Sequence, residues 1–258
     1  MQIVAVQLDI VWENPQANWA TVAQLLQTAA PLAPQTMIVL PEMFSTGFTM
    51  DVAAATREHA QTLEFLKRLS RQHAAYALGG LAAPAPGGRA RNQLAVTSPS
   101  GEILALYTKL HPFTLGGERE RFLPGERVVG FAWHDFTVAP FICYDLRFPE
   151  IFRAAIRRHR ADLFIVIANW PITRIEHWIT LLRARAIENQ AYVLGVNRCG
   201  RDPNLLYPGR SMLVDPMGVI RADAGDQPGI LTADVDPKAV ADIRQRLPFL
   251  KDMRDDLA

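Results

Sequence analysis

The sequence predicts an α/β fold, in which helices cover sheets. Segments typical of strands and of helices alternate along the 258 residues, and strands outnumber helices. Leu163–Ala168 is continuously apolar, which is typical of a strand that is buried on both faces. Glu58–His73 instead repeats its apolar residues at helical spacing, through Leu63, Leu66 and Leu69.

The predicted strands are short runs rich in β-branched and other apolar residues. Turns that contain proline and glycine separate several of them, for example Pro86-Gly87-Gly88. In chain order, strands are predicted at Ile3–Leu8, Met37–Leu40, Tyr76–Leu81, Gln93–Thr97, Ile103–Lys109, Phe136–Cys143, Leu163–Ala168, Tyr192–Asn197, Ser211–Asp215, Val219–Ala222 and Leu231–Val235.

The predicted helices lie between these strands. The first, Trp19–Ala30, follows Asn14-Pro15, which places an N-cap residue before a proline at the first helical position. The others in chain order are Glu58–His73, Pro149–His159 and Glu176–Gln190.

The chain shows no sign of a division into domains. The stretch from Pro84 to Arg91 contains proline and glycine, and we interpret it as a long loop within a domain. No low-complexity linker and no repeat of fixed short period is present. We therefore expect a single domain over residues 1–258.

Composition limits the class of partner. The chain has 27 basic and 26 acidic residues, a net charge of +1, which predicts neither a nucleic-acid nor an anionic-membrane partner. The N-terminal segment reads as a strand and lacks the basic start of a signal peptide. No apolar run approaches the ~20 residues that span a bilayer. We expect a cytoplasmic protein.

The two cysteines do not predict a fold stabilised by disulfides or by a metal ion. Cys143 and Cys199 cannot form a disulfide framework, and no CxxC pair suggests zinc or redox chemistry. We therefore expect no metal and no organic cofactor.

Three reactive side chains stand where predicted strands end: Glu42, Lys109 and Cys143. The ends of strands are where α/β sheets place binding and catalytic groups. A free thiol has a pKa of ~8.5 and needs a base or a cation nearby to react at neutral pH. Glu42 is a candidate base and Lys109 a candidate cation. Taken singly, each residue also has a structural interpretation, because cysteine packs as a small hydrophobe and charged residues at strand ends are often solvated.

The sequence around these residues resembles a known family. Leu40-Pro-Glu-Met-Phe44, Lys109-Leu-His-Pro-Phe113 and Cys143-Tyr-Asp-Leu-Arg-Phe-Pro149 are similar, in this order, to the three signature blocks of the nitrilase superfamily of carbon–nitrogen hydrolases. The similarity continues through Leu182–Asn189 and Ser211–Gly218 to the C-terminus. It implies a four-layer αββα sandwich and a homodimer or larger assembly, in which Leu247–Lys251 reaches across the interface. A frayed terminus is the alternative for that tail.

The resemblance implies a mechanism for amide hydrolysis. Cys143 would attack the amide carbon to form a thioester, and Glu42 would move the protons. Lys109 and the backbone N–H of Tyr144 would stabilise the oxyanion. The family also has a second glutamate before a Phe-x-Pro-Gly stretch, here Phe122–Gly125, which favours Glu118 over its neighbour Glu120.

Histidine is the rival base, since a Cys–His pair would make a different hydrolase. His111 lies beside the lysine and His177 begins a helix. The resemblance implies that His111 is a structural anchor of its loop. Cys199 has no matching role, and we interpret it as a packed thiol.

The expected substrate is a small amide. Asn169-Trp-Pro171 and Arg185–Tyr192 are similar to the bacterial ω-amidase branch, which hydrolyses 2-oxoglutaramate and 2-oxosuccinamate to the keto acid and ammonia. An amidase of deaminated glutathione and an N-carbamoyl-amine hydrolase are alternatives in the same superfamily. A nitrilase and an acyltransferase are more distant ones. The alternative of another class is a non-catalytic binding protein, although an inactive relative has no physical need to keep Glu42, Lys109 and Cys143 together.

A keto-acid substrate needs a cation for its carboxylate, and a bidentate arginine suits it. Arg147 is the candidate because it lies close to Cys143 in sequence; a structural ion pair at the elbow is its alternative. Phe44 and Trp170 are expected to wall the pocket, with core packing as the alternative for both.

Overall fold

The computed structural model describes residues 1–29 and 31–254. Two six-stranded sheets form the framework of the described chain. The first sheet contains, in spatial order, β14 (Gly229–Asp234), β1 (Gln2–Gln7), β2 (Met37–Val39), β3 (Tyr76–Ala85), β4 (Arg89–Thr97) and β5 (Ile103–Thr108). The second contains β13 (Ile220–Asp223), β12 (Met212–Val214), β9 (Tyr192–Asn197), β8 (Leu163–Ala168), β7 (Phe136–Ile142) and β6 (Phe131–Trp133). A separate ribbon pairs β10 (Cys199–Arg201) with β11 (Leu206–Pro208).

Both sheets are parallel at the centre and antiparallel at the edges. In the first, β1, β2 and β3 run parallel, and in the second β7, β8 and β9 do so. The helices in chain order are α1 (Pro15–Thr28), α2 (Val52–Thr56), α3 (His59–His73), α4 (Glu118–Arg121), α5 (Pro149–His159), α6 (Ile175–Asn189) and α7 (Pro237–Arg246).

Alternation along β1 shows how the layers are built. Ile3 and Ala5 join the core cluster that the first sheet shares with the second sheet and with the apolar faces of α5 and α6. Val4 and Val6 point to the other face, where the cluster is completed by α1 and α3. Because successive strand residues face opposite sides, each sheet is covered on both faces. The predicted αββα sandwich is confirmed.

Helix starts follow the chemistry of the predicted caps. Asn14 accepts a hydrogen bond from Ala17 N, and Pro15 occupies the first helical position of α1. The helix ends at Thr28; Ala30, its predicted end, lies outside the described residues.

One loop prediction is wrong. The stretch from Pro84 to Arg91 is not a long loop, because β3 and β4 pair without a break up to Ala85 and Arg89. Only Pro86–Gly88 turns, as a short 3-10 helix. Proline and glycine mark the turn itself, whereas the flanking alanines continue the hairpin, so Ala90 is buried.

The sequence patterns also missed several short elements. Periodicity has little to count in segments of three to five residues, such as α2, α4, β6, β10 and β11. The helix α7 carried a readable start, because Asp236 caps Lys238 N and Pro237 follows it. Among residues 1–29 and 31–254, no helix is long and apolar enough to cross a membrane.

Candidate active site

Glu42 lies three residues beyond β2 and is fully buried. Its Oε1 accepts hydrogen bonds from Lys109 Nζ at 2.9 Å and from Asn92 Nδ2 at 2.8 Å. Its Oε2 accepts one from the backbone N of Asn169 at 2.8 Å. Because every partner donates, the carboxylate is held in one orientation and in the form that accepts protons.

Glu118 is the second buried carboxylate of the site. Lys109 Nζ donates to its Oε2 at 2.8 Å, and Asn92 Nδ2 donates to its Oε1 at 2.8 Å. The backbone N of Phe113 also donates to Oε2, at 2.6 Å. Glu120, two residues further along α4, is exposed. The structure therefore places Glu118, and not Glu120, beside Lys109.

Lys109 lies between the two carboxylates and is 1% exposed. Burial is the largest influence on its pKa and disfavours the charged form, but the charges of Glu118 and Glu42 outweigh it, so the pKa of Lys109 is raised. Burial in turn raises the pKa of Glu118, against the opposing charge of Lys109. The raised pKa keeps the Lys109 ammonium charged at neutral pH, and its two ion pairs hold that charge in a fixed position.

Cys143 occupies a strained elbow between β7 and the 3-10 helix Cys143–Arg147. Its φ is +46°, a left-handed conformation that costs a non-glycine residue energy and turns the side chain away from the strand. The side chain is partly exposed, and Sγ lies 3.9 Å from the carbonyl oxygen of Asn169. The elbow thus presents a sulfur at the carboxyl end of the second sheet.

Asp145 holds the Cys143 elbow in place through hydrogen bonds to the segments around it. It is fully buried, and its Oδ2 accepts hydrogen bonds from Tyr107 Oη at 2.7 Å and from Ile142 N at 3.2 Å. Its Oδ1 accepts from the backbone N of His111 at 3.0 Å and lies 2.9 Å from the Nδ1 of the same ring. The ring also stacks on Phe148 at 3.7 Å. His111 is therefore occupied as an anchor between the lysine loop and the elbow.

The surroundings of Cys143 favour the protonated thiol. Burial is the main cause that raises its pKa well above the value of a free thiol; the charge of Glu42 adds to this, and the charge of Lys109 opposes it. Because a raised pKa keeps thiolate scarce, we expect alkylation of Cys143 by iodoacetamide to accelerate about tenfold per pH unit between pH ~7 and ~9. Peptide mapping after timed alkylation measures this. A rate that levels off below pH ~8 would contradict it.

Glu42 and Cys143 line one cavity of about 270 Å³, and Lys109 donates to Glu42 from outside that lining. Lys109 is in cation–π contact with the wall residue Phe48, 5.1 Å from its ring centre. The cavity is lined by Trp12, Glu42, Phe48, Met50, Phe113, Gly116, Cys143, Tyr144, Arg147, Asn169, Trp170, Pro171, Arg174, Asp202, Asn204, Leu205 and Tyr207.

Of the predicted wall residues, Trp170 and Arg147 line this cavity and Phe44 does not. The prediction for Phe44 is wrong. Its side chain is 0% exposed and packs against Phe65, at a ring distance of 6.0 Å, in the core between the first sheet and its helices. The backbone after Glu42 turns back toward the sheet, since Phe44 N donates to Gly80 O, and this directs the ring inward.

The interpretation of Arg147 as part of a structural ion pair is also wrong. Its guanidinium stands 4.7 Å over the ring of Trp170, and both terminal nitrogens donate to His177 Nδ1 at 3.3 Å. No carboxylate of the described chain pairs with it.

Sequence reasoning missed two amides that organise the site. Asn92, in the middle of β4, donates to both glutamates and so fixes their spacing. Asn169, directly after β8, donates to Glu42 through its backbone N and, at 2.8 Å, through Nδ2 to the Glu42 carbonyl. A signal existed for Asn169, which follows an apolar strand as the other site residues do. A single polar residue within a strand carried none for Asn92.

A glycine permits the close approach that places Glu42. A Cβ at Gly80 would lie 2.6 Å from Glu42 Cα and 2.6 Å from Met43 N. We expect Gly80→Ala to lower the free energy of unfolding by about 1–3 kcal/mol and to reduce activity, because the backbone that carries the carboxylate must move. Urea unfolding and turnover measure this. Gly229→Ala is the control, since its Cβ meets nothing within 4 Å; equal behaviour of the two variants would contradict the argument.

No group of three or more His, Cys, Asp or Glu residues in the described part of the chain is arranged to hold a metal ion. The site combines a thiol nucleophile, a carboxylate base and an ammonium group in a fixed position. These three groups suit an attack on the carbonyl carbon of a bound substrate.

Comparison with known proteins agrees with this geometry. The family model described as Carbon-nitrogen hydrolase matches residues 2–245. The chain is 37% identical to the omega-amidase YafV of Yersinia enterocolitica, over 98% of this chain and 96% of that protein. It is 31% identical to the 2-oxoglutaramate amidase of Bacillus subtilis, over 99% and 98%. A deaminated glutathione amidase of Synechocystis is 33% identical over 83% and 85%.

A solved structure supports the same relationship. The protein XC1258 of Xanthomonas campestris, a CN-hydrolase superfamily protein whose crystal structure has an arsenic adduct in the active site, superposes with a TM-score of 0.92. It is 31% identical, and the match covers 99% of this chain and 97% of that one.

Proposed function

The chain belongs to the carbon–nitrogen hydrolase family, and from this premise we propose that it hydrolyses the terminal amide of a small ω-amido keto acid, 2-oxoglutaramate or 2-oxosuccinamate, to the keto acid and ammonia. The observation that carries the proposal is that Glu42 and Cys143 line one small cavity, with Lys109 hydrogen-bonded to Glu42 and close enough for its charge to act on the thiol. The amidase activities named for the relatives support the choice of bond.

In the first half-reaction, Glu42 takes the proton of the Cys143 thiol as the sulfur attacks the amide carbon. A base is needed at this step because the thiol is protonated at rest. The C–N bond then breaks, and the same proton leaves with ammonia. The products of this step are ammonia and a thioester on Cys143.

In the second half-reaction, Glu42 deprotonates water as it attacks the thioester carbon. The C–S bond breaks, and the thiolate recovers the proton. The new carboxylate then lies beside Glu42 and Glu118, two carboxylates that share one ammonium. This local excess of negative charge favours release of the product.

The oxyanion of both tetrahedral intermediates faces two donors. One is Lys109 Nζ, held by the two glutamates. The other is the backbone N–H of Tyr144, in the first turn of the Cys143–Arg147 helix, where N–H groups have no intrahelical acceptor. Donors fixed in advance at the developing charge contribute ~10²–10³ in rate each.

Ammonia release tests the substrate. We expect purified protein to release ammonia from 2-oxoglutaramate with a higher kcat/KM than from deaminated glutathione, because a cavity of about 270 Å³ is small for the longer molecule. If the protein releases no ammonia from 2-oxoglutaramate but turns over deaminated glutathione or an N-carbamoyl amine, it belongs to a neighbouring branch of the superfamily.

We further propose that residues 1–258 form a single hydrolase domain that works in the cytoplasm as a homodimer, without nucleic-acid or membrane partners. An apolar surface patch at the end of α6 and the neighbouring β12–β13 turn supports the dimer: Ile187, Met217 and Val219 are each about half exposed, at 51%, 50% and 51%. Light scattering coupled to size-exclusion chromatography tests this, and a monomer at micromolar concentration would contradict it.

A further inference from the structure

Two arginines face the cavity from neighbouring turns. Arg147 ends the 3-10 helix that begins at Cys143, and Arg174 ends the 3-10 helix Ile172–Arg174 that follows β8. Both side chains are half-buried and line the cavity. The nucleophile and both guanidinium groups therefore border the same small space.

The guanidinium of Arg147 is already oriented. Trp170 supports one face of it at 4.7 Å, and His177 Nδ1 accepts one hydrogen bond from each terminal nitrogen. An arginine has five N–H donors. Its Nε–H and one N–H on each terminal nitrogen are thus left for a ligand, on a group that loses little entropy when it binds.

Arg174 has no polar side-chain partner within the described chain. Its guanidinium stands 5.7 Å over the ring of Phe113, on the wall of the cavity. None of the carboxylates described pairs with it. A half-buried arginine with an aromatic support and free donors is suited to bind an anion.

The acidic groups of the cavity are occupied elsewhere. Glu42 accepts from Lys109 and Asn92. Asp202 accepts from the hydroxyl of Tyr207 at 2.6 Å and from two backbone N–H groups of its own loop. Neither acid therefore neutralises the two arginines.

The arginines also repel each other. Burial and then the charge of Arg174 lower the pKa of Arg147. An anion bound between the two guanidinium groups would remove this repulsion and gain hydrogen bonds to both.

We propose that Arg147 and Arg174 together form the carboxylate-binding end of the cavity and select amides whose far end is anionic. This inference rests on the proposed function, and it adds Arg174 as a specificity-determining residue. It also orients the substrate. Next to Cys143 the cavity is lined by Glu42, whose negative charge disfavours a second carboxylate there, so the amide is the end that reaches the sulfur.

Protection of Cys143 from iodoacetamide tests this without turnover. The alkylation rate of the Cys143 peptide is measured against increasing 2-oxoglutarate, and separately against pentanamide, which lacks a carboxylate. The proteins are the wild type, Arg147→Gln, Arg174→Gln and the control Arg158→Gln, whose side chain is exposed on α5.

We expect each cavity variant to raise the half-protecting concentration of 2-oxoglutarate about 10- to 100-fold, the effect of losing a charge-assisted hydrogen bond. Half-protection by pentanamide stays as in the wild type, and Arg158→Gln changes neither value. Arg174→Lys keeps the positive charge but loses the bidentate donor geometry of the guanidinium, so we expect an intermediate loss of affinity for 2-oxoglutarate. Thermal unfolding of each variant verifies that it is folded.

An unchanged half-protecting concentration of 2-oxoglutarate in Arg174→Gln would overturn the proposal, as would an equal shift for pentanamide. Because 2-oxoglutarate places its second carboxylate beside Glu42, the same series is run with 2-oxopentanoate, which has only the far carboxylate, and absence of protection of the wild type by both compounds would overturn the proposal. The assay needs no hydrolysis, so a protein that fails to hydrolyse 2-oxoglutaramate can still bind a carboxylate at Arg147 and Arg174. Failure of the proposed function and failure of the carboxylate site can therefore be distinguished.

Discussion

Cys143→Ala is expected to abolish ammonia release, with a loss in kcat of at least ~10⁴-fold. Without the sulfur, no thioester forms, and the remaining donors can only polarise the amide. The fold should survive, because the side chain is partly exposed and its Sγ contact with Asn169 O, at 3.9 Å, is weak.

Cys199→Ala is the matched control for this variant. Cys199 is the second cysteine of the chain and is fully buried in β10, outside the cavity lining. Burial raises its pKa to about 12, which leaves it an inert thiol at neutral pH. We expect Cys199→Ala to keep kcat within about a factor of two while it loses some stability, since it truncates a packed side chain. Substantial turnover by Cys143→Ala would remove the nucleophile from the mechanism.

Glu42→Gln is expected to lower kcat by about 10²–10⁴-fold, the contribution of a positioned general base. It should also destabilise the protein by about 1–3 kcal/mol. Every partner of the carboxylate is a donor: Lys109 and Asn92 at Oε1, and Asn169 at Oε2. A glutamine must therefore point its own NH₂ group at one of these donors, in either orientation of the amide.

Steady-state ammonia release and urea unfolding measure the two effects. Glu120→Gln serves as the control, since it makes the same chemical change at an exposed position on α4; its stability should stay within about 0.5 kcal/mol of the wild type. A Glu42→Gln variant with wild-type kcat would show that another group moves the proton.

The Glu118→Gln variant distinguishes the role of Glu118 from that of Glu42. Every hydrogen-bond partner of the Glu118 carboxylate is a donor, among them Lys109 Nζ and Phe113 N. We therefore expect Glu118→Gln to lose about as much stability as Glu42→Gln. Because the charge of Glu118 acts on the Cys143 thiol less strongly than the charge of Glu42, the alkylation rate of Cys143 should change less in Glu118→Gln than in Glu42→Gln. Timed alkylation of both variants at one pH compares them.

The layers of the fold were accessible from the sequence because the burial of each strand leaves a pattern. Leu163–Ala168 is buried at every position, and its bounds as β8 are those predicted. Alternation in β1 assigns its residues to two different cores. Short elements such as β6 are held by pairing with a neighbour, here β7, and this tertiary information has no local signature.

The candidate site shows the same division. Glu42, Lys109 and Cys143 each follow a strand, so their sequence positions already place them at one end of the sheets. The direction of a side chain after a turn is set by the backbone beyond it, which is why Phe44 could not be distinguished from a wall residue. Asn92 stands within a strand and acquires its role only when the segments that carry Glu42 and Glu118 fold against β4.

The central claim is a thioester on Cys143, and hydroxylamine partitioning tests it most directly. The terminal amide and the corresponding methyl ester of the same keto acid are turned over in the presence of hydroxylamine, and the ratio of hydroxamate to free acid is measured for each. The account predicts one ratio for both substrates once the protein-free reaction of the ester with hydroxylamine is subtracted, because both leaving groups depart before the same acyl-enzyme meets water or hydroxylamine. It predicts no hydroxamate above that background from Cys143→Ala. A corrected ratio that depends on the leaving group, or hydroxamate above the background formed without Cys143, would contradict it.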